Sequence, residues 1–247
     1  MLKSHKKVEK NSILLLILIT IVISIGGIVE IVPLFKIETT IEKVKGMRPY
    51  TPLELAGRNI YIREGCYNCH SQQIRSLRDE VERYGHYSLA AESMYDFPFQ
   101  WGSKRTGPDL ARVGGKYSDE WHVQHLIKPQ NLVPDSIMPP YSHLYTTALD
   151  LNDIDKHLKA LQIIGVPYTD DMIENAQLDA KMQSLHDDLH DEFMENLIKR
   201  YDEKSLNIRD FDGQKNFLSE MDALVAYLQM LGTLVKFKDY NVNINEE

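Results

Sequence analysis

The stretch Cys66-Tyr67-Asn68-Cys69-His70 decides how this 247-residue sequence is interpreted. The spacing C-x-x-C-H is typical of c-type haem attachment, in which two thiols form thioether bonds and the adjacent imidazole ligates the iron. The chain contains no other cysteines. We therefore predict one covalent haem c, attached to Cys66 and Cys69, with His70 as its proximal ligand. The rest of the fold then has to supply the other side of the haem.

Three other readings of the motif compete with haem attachment: a structural disulfide, a thioredoxin-type redox pair and half of a zinc site. Zinc would require further Cys or His residues at ligand spacing. A redox pair usually lies at the start of a helix within a βαβ pattern. The sequence offers neither context, so haem attachment is favoured.

The N-terminal region predicts a membrane anchor. Residues 13–29 carry no charge, and 13 of these 17 residues are Ile, Leu or Val. Extended to Phe35, the apolar stretch would be about 34 Å long as a helix, which is enough to cross a hydrocarbon core of about 30 Å. We predict a transmembrane anchor at 13–35, uncleaved because the stretch exceeds the apolar core of a signal peptide. Near the end of the anchor, the Glu30 carboxyl either faces a partner protein or extends to the membrane–water interface.

Charge does not decide the orientation of the anchor, since four lysines precede it and four basic residues follow it within 36–48. Two other features decide the orientation. The tail before the anchor is short and the domain after it is long, and c-type haem is typically attached outside the cytoplasm. We expect a single-pass protein of the bacterial inner membrane, with residues 1–12 as a cytoplasmic tail and the haem domain in the periplasm.

After the anchor the pattern is mainly α-helical. Thr51, Pro52 and Glu54 form the start signal of a helix that Gly65 is placed to close. Gly57 on that helix allows a second helix to cross at close range. Further helices are predicted at 118–127 and 152–163. We expect the last helix, from Ser219 to Gly232, to be the crossing partner, with Tyr227 lying against Gly57.

A strongly acidic segment interrupts the pattern before the last helix. Between Asp170 and Asp222 there are 15 acidic residues and 6 Lys or Arg, a net charge of −9. Apolar residues at helical spacing run through 170–201. We read this segment as a solvated face that is also able to steer a basic partner. The predicted organisation is a linker at 36–50, a haem domain at 51–164 and 216–235, a helical acidic insertion at 165–215 and a tail at 236–247.

Met138 is the candidate for the sixth ligand of the haem iron. Pro139 and Pro140 follow it and prevent helix, which leaves an extended loop that holds the thioether in place. A lone methionine is usually a core residue. In a haem protein, however, a methionine on a proline-stiffened loop is favoured as an iron ligand. A thioether ligand would raise the reduction potential of the haem.

Several stretches resemble one known family, the mono-haem subunit (FixO type) of cbb3-type cytochrome c oxidases. The similarity lies in residues 26–35, 57–70, 100–110, 112–115 and 136–139, and it extends over nearly the whole chain. Pro140 departs from the family pattern, because many relatives have glycine at this position.

The resemblance implies a class I-like cytochrome c domain outside the membrane and a role for each matching residue. By this resemblance, Cys66 and Cys69 bind the haem, and His70 and Met138 are the proximal and distal ligands of its iron. The Pro108 carbonyl is expected to accept a hydrogen bond from the His70 imidazole. Arg112 and Trp101 are expected to contact the haem propionates, and Ser103 a calcium ion shared with the catalytic subunit.

The implied function is electron transfer within an oxidase complex, with no catalytic residue in this chain. Electrons come from a diheme cytochrome c subunit or a soluble cytochrome c and pass to haem b of the catalytic haem-copper subunit. Three alternatives stay open: the cytochrome c subunit of a nitric oxide reductase, a haem-based enzyme or gas sensor with Met138 in the core, and a structural anchor for assembly. Nothing basic and aromatic in the sequence suggests nucleic acid binding.

Overall fold

The computed structural model describes residues 3–34, 41–42, 44–102, 104–184, 191–201, 206–215 and 217–237. Within these ranges the chain is helical and has no strand, as the sequence predicts. The helices are α1 (Lys3–Glu9), α2 (Ser12–Leu34), α3 (Pro52–Arg63), α4 (Arg78–Tyr84), α5 (Asp119–Ile127), α6 (His143–Thr146), α7 (Ile154–Ile163), α8 (Asp170–Glu174), α9 (Ala176–Ser184), α10 (Asp191–Tyr201) and α11 (Glu220–Met230).

The chain divides into two units, residues 1–42 and 43–247. The first unit consists of α1 and α2. At 23 residues, α2 is long and apolar enough to span a membrane, and none of its side chains is buried within the protein. The predicted anchor is therefore present as a helix within one residue of its expected start, while Phe35 lies outside the described residues.

Helix α3 begins as its sequence signal predicts. The Thr51 hydroxyl accepts a hydrogen bond from the backbone N–H of Glu54, and the Glu54 carboxylate accepts one from the Thr51 N–H. Pro52 occupies the first turn, where a missing N–H costs nothing. Beyond the helix, Gly65 has a φ of 73°, a left-handed conformation that favours glycine. The chain therefore turns sharply just before the cysteine motif.

Helices α3 and α11 cross at Gly57, as predicted. A Cβ atom built on Gly57 would lie 1.9 Å from the carbonyl oxygen of Ala223 and 2.8 Å from Cβ of Tyr227. The Tyr227 ring is fully buried and packs against Tyr61, with the ring centroids 5.7 Å apart. The backbones of the two helices touch here, so the direction of α3 is fixed by α11.

The acidic segment is less separate than the sequence suggests. Its apolar pattern is divided among α8, α9 and α10, with residues 185–190 outside the described part. Tyr168 and Leu197 belong to the main core, and the Tyr168 hydroxyl donates to the Tyr50 carbonyl at 2.8 Å. The solvated-face expectation holds only in part, because Asp179, Asp212 and Asp222 are buried. The segment therefore contributes to the same core as α3 and α11.

Two further differences concern segments that carry weak sequence signals. Residues 48–50, at the end of the predicted linker, are buried, and the Arg48 guanidinium pairs with both Glu54 carboxylate oxygens at 2.7 and 2.8 Å. The stretch 75–112, which shows no periodicity, contains the seven-residue helix α4 and a 3-10 turn at Ala90–Ser93. Elements this short are fixed by tertiary contacts rather than by a repeating pattern.

Replacing Gly57 by alanine tests the helix crossing. We expect Gly57→Ala to lower the free energy of unfolding by at least about 2 kcal/mol, because the added methyl meets backbone atoms that move only if the two helices separate. Urea unfolding measures the change. Gly102→Ala is the control, since a Cβ there meets no atom closer than 4.0 Å. Equal stability of the two variants would contradict the close crossing.

Candidate haem site

The cysteine motif forms one tight turn directly after α3. Residues Cys66–Asn68 form a 3-10 turn, and the carbonyl of Cys66 accepts hydrogen bonds from the N–H groups of Cys69 (3.1 Å) and His70 (2.9 Å). Cys66 is half-buried, and Cys69 is exposed. The turn therefore holds both thiols and the imidazole on one short segment whose direction α3 sets.

Cys66 and Cys69 are not joined to each other in a disulfide, which counts against the disulfide reading. Burial, followed by the charge of Glu64, raises the pKa of the Cys66 thiol to about 12. Catalytic redox cysteines have depressed pKa values, so this environment is unlike theirs. Among the described residues, the side chains grouped closely enough to share a metal ion are Asp210, Asp212 and Asp222, which include neither cysteine. The redox and zinc readings therefore lose support.

His70 is oriented by the carbonyl of Pro108. The imidazole Nδ1 lies 2.7 Å from that oxygen. A carbonyl can only accept, so the proton must sit on Nδ1, and the lone pair of Nε2 is left to bind a metal. This is the orienting contact that the resemblance implies for Pro108, and it matches the way metal-ligating histidines are commonly held.

Gly107 allows the imidazole to lie against the backbone. A Cβ atom on Gly107 would lie 2.3 Å from Cε1 of His70, so any side chain here would displace the ring. The same residue donates its N–H to the Cys69 carbonyl at 3.0 Å. The loop that carries Pro108 is therefore bonded directly to the motif that it orients.

A buried ion network holds this loop in place. Arg105 donates to the Ser71 hydroxyl (2.9 Å), the Gln73 carbonyl (2.8 Å) and the Glu80 carboxylate (2.7 Å). Asp109 accepts from the Ala111 N–H at 2.8 Å and also bonds Ser71. These contacts tie the loop to the residues that follow His70 and to α4. Arg105 lies in a stretch that the resemblance marks, yet no charge pattern in the sequence identifies its role.

Met138 lies on a loop held by α5 and the turn that follows it. Gln130 donates from its side-chain amide to the carbonyls of Ser136 (2.8 Å) and Met138 (3.1 Å). The Tyr141 N–H donates to the Leu126 carbonyl at 2.7 Å, which returns the chain to α5. The Met138 side chain is half-buried and packs against the main core. The loop is therefore fixed at both ends, as a ligand loop requires.

The remaining predicted residues have protein partners. Trp101 stacks on Phe99 with centroids 4.4 Å apart and donates to the Ser93 hydroxyl at 2.9 Å. Arg112 pairs with both Glu92 oxygens at 2.7 and 2.8 Å. Their contact with propionates stays a prediction. Ser103 lies outside the described residues, so its calcium contact also stays a prediction.

The described residues fit a covalent haem with an axial histidine. Free thiols lie at attachment spacing, and the neighbouring imidazole offers Nε2 while Nδ1 is held. The secondary structure of the described part of this domain is helical, as expected for a c-type cytochrome. With the apolar helix α2, these features define a membrane-anchored c-type cytochrome with one haem-binding motif.

Comparison with known families narrows this class. The sequence model described as "Cytochrome C oxidase, mono-heme subunit/FixO" matches residues 5–235. The chain belongs to that family, so it is a mono-haem cytochrome c subunit of a cbb3-type oxidase, and haem c is its expected cofactor. A search of curated proteins finds no match to the chain.

The ion network at Glu80 predicts a specific acid sensitivity. Arg105 lowers the pKa of this carboxyl to about 2 from the usual 4.5. A lowered carboxyl pKa contributes stability above about pH 4.5, and that contribution is lost as the pH falls toward 2. We expect Glu80→Gln to cost about 2 kcal/mol near neutral pH, and the difference from wild type to shrink below pH 4.5.

Urea unfolding of both proteins at a series of pH values measures this difference. Glu82→Gln serves as the control, because the Glu82 pair with Arg78 is exposed and should contribute little. A difference between wild type and Glu80→Gln that is the same at every pH would contradict the assignment.

Proposed function

We propose that this chain relays single electrons to the catalytic subunit of a cbb3-type oxidase and does not itself react with oxygen. When bound, the haem supplies a one-electron couple. His70 would hold the haem iron through Nε2, and Met138 would hold it through its sulfur. Two protein ligands fixed in this way would exclude oxygen from the iron and limit rearrangement on reduction. The relay role rests on this closed coordination.

The observation that carries the proposal is the fixed orientation of His70. Its Nδ1 is held by Pro108 at 2.7 Å, and Gly107 lies against the ring. A strongly held imidazole favours one tautomer and one ring direction. The anchored Met138 loop supports a second protein ligand. A gas sensor or haem enzyme would instead need an open position, with Met138 in a purely structural role.

The partners follow from the family and from the chain's own charge. A subunit of this family has a catalytic oxidase partner. We propose that haem b of that partner is the electron acceptor, and that a diheme cytochrome c subunit or a soluble cytochrome c is the donor. The acidic segment between 170 and 222 supports a basic soluble donor. A calcium ion shared through Ser103 belongs to the same proposal.

We also propose that the haem domain faces the periplasm and that residues 1–12 lie in the cytoplasm. The short tail before α2 and the extracytoplasmic attachment of c-type haem support this orientation. The covalent bonds to Cys66 and Cys69 belong to the same proposal. The reading as a nitric oxide reductase subunit is not supported by the family match, which is to an oxidase subunit.

Co-purification from source membranes in mild detergent tests the relay role. We expect one complex that contains this chain, with haem retained on the denatured subunit, and that oxidises a reduced soluble cytochrome c with oxygen. Cys66→Ser should still assemble but lose that turnover, because electrons no longer reach haem b. Full turnover in Cys66→Ser would instead show a structural anchor, and turnover of nitric oxide but not oxygen would show a reductase.

Replacing Met138 tests the closed coordination. We expect Met138→Ala to bind carbon monoxide in the reduced state and to have a lower midpoint potential, because the thioether that favours ferrous iron is gone. Difference spectra and a redox titration measure both effects. Met182→Ala is the control, since Met182 is also half-buried against the core. Unchanged spectra and potential in Met138→Ala would refute the ligand assignment.

A further inference from the structure

Three aspartates lie together where the acidic segment meets the start of α11. One carboxylate oxygen from each of Asp210, Asp212 and Asp222 lies within 4.8 Å of the oxygens offered by the other two. Asp212 is 8% exposed and Asp222 is 1% exposed. The backbone N–H of Phe211 donates to the Asp222 carboxylate at 3.1 Å, which holds the loop that carries the first two aspartates against α11. The group is therefore part of the packed domain.

The charge of this group has no cationic partner in the described part of the chain. Arg209 directly precedes Asp210, but it pairs with Asp119 at 3.0 Å. Burial, followed by the charge of Asp212, raises the pKa of Asp222 to about 6. Buried carboxylates are normally paired or bound to a metal ion, because an isolated buried charge is costly. A cation bound among the three would supply the missing compensation.

A fourth oxygen meets the group from the end of α9. The hydroxyl of Ser184 is 1% exposed and has no hydrogen-bond partner among the described residues. The residue before it, Gln183, accepts the Arg209 N–H at 3.0 Å and donates from its side-chain amide to the Asn207 carbonyl at 3.1 Å. These bonds hold the end of α9 against the residues directly before the aspartates.

Ser184 and Asp222 approach each other without a shared hydrogen bond of normal geometry. The hydroxyl is close enough to the carboxylate to lower its pKa, an effect smaller than the rise caused by burial. Native structures rarely leave a buried hydroxyl without a partner. Oxygens that lie side by side in this way are arranged as the ligands of a cation are.

We propose that four oxygen-bearing side chains bind one calcium ion: Asp210, Asp212, Asp222 and Ser184. Calcium takes six to eight oxygen ligands at about 2.3–2.6 Å, so oxygens up to about 5 Å apart can share one ion. Magnesium binds oxygens at about 2.0–2.1 Å in strict octahedral geometry, which requires a tighter group. All four side chains belong to this chain, whereas the calcium proposed at Ser103 is shared with another subunit.

The ion would join three parts of the domain. Ser184 ends α9, and Asp210 and Asp212 lie on the loop before α11. Asp222 belongs to the first turn of α11, where its carboxylate accepts the Ser219 N–H at 3.2 Å. Because the group is assembled only by folding, bound calcium should stabilise the folded domain. The site is independent of the proposed relay role.

Calcium titration of the purified, haem-loaded full chain tests the site. After treatment with EGTA and exchange into chelator-free buffer, isothermal titration calorimetry should detect one calcium ion per chain. Asp210→Asn should weaken binding at least about tenfold, because one ligand charge is lost. Asparagine still offers an oxygen to the two N–H groups that Asp210 accepts, so the loop keeps its bonds. Absence of binding to wild type at millimolar calcium would overturn the proposal.

Asp150→Asn is the matched control. Asp150 accepts the Asn152 N–H at 2.9 Å, the same local bond that Asp210 makes with the Asp212 N–H at 3.2 Å. Asp150 is exposed and lies outside the group. We expect its replacement to leave calcium affinity unchanged. Equal weakening in the two variants would show general attraction to an acidic surface and overturn the assignment.

Thermal unfolding followed by circular dichroism gives a second measurement. In EGTA, Asp210→Asn should have a Tm at least equal to that of wild type, because the substitution removes a repulsive charge. In saturating calcium, wild type should have the higher Tm. A Tm that Asp210→Asn lowers equally in both conditions would show a structural role only and contradict the site.

Ser184→Ala tests the site without changing its charge, and it serves even where Asp210→Asn does not fold. We expect weaker calcium binding with all three carboxylates in place, because a ligand oxygen is lost. Unchanged affinity in Ser184→Ala would overturn the role of the hydroxyl. Equal affinity of wild type for magnesium would overturn the assignment to calcium. Neither result bears on haem ligation, so failure here leaves the proposed function intact.

Discussion

The hydrogen bond between His70 Nδ1 and the Pro108 carbonyl is the contact on which the site depends. It fixes the tautomer and ring direction, and so leaves Nε2 as the nitrogen available to a metal. The contact exists only because Gly107 leaves room for the ring and because Arg105 ties the loop to the residues after His70. A haem motif without this loop would carry an imidazole free to turn. The charges around Arg105 thus serve to position the His70 ring, besides their effect on stability.

The other half of the site depends on packing between helices. Because α3 and α11 touch at Gly57, the turn that carries Cys66 starts from a fixed point and direction. Helix α5 and Gln130 hold the Met138 loop on separate contacts. The two ligands of the proposed function, His70 and Met138, therefore lie on two independently anchored segments. In that proposal, the separate anchors limit movement of the ligands when the iron is reduced.

Local signals in the sequence predicted much of this architecture. The attachment spacing, the capping residues of α3 and the apolar run of α2 each depend on neighbours within a few residues. These signals can therefore be recognised without knowledge of the fold. The crossing at Gly57 was predictable because glycine and an aromatic residue stood on two strongly marked helices. The family resemblance supplied Pro108.

What the sequence could not show depends on partners far apart in the chain. Arg105 meets Glu80 across 25 residues, and Tyr168 meets Tyr50 across 118, so neither composition nor periodicity reveals them. The acidic segment looked like a separate insertion because its charge dominates its pattern, although its apolar residues join the main core.

The most direct test of this account is near-infrared magnetic circular dichroism of the oxidised, haem-loaded wild-type protein, which reports both axial ligands of the iron. The account predicts the signature of histidine and methionine. A signature of two nitrogen ligands, or of a high-spin iron with an open position, would contradict it.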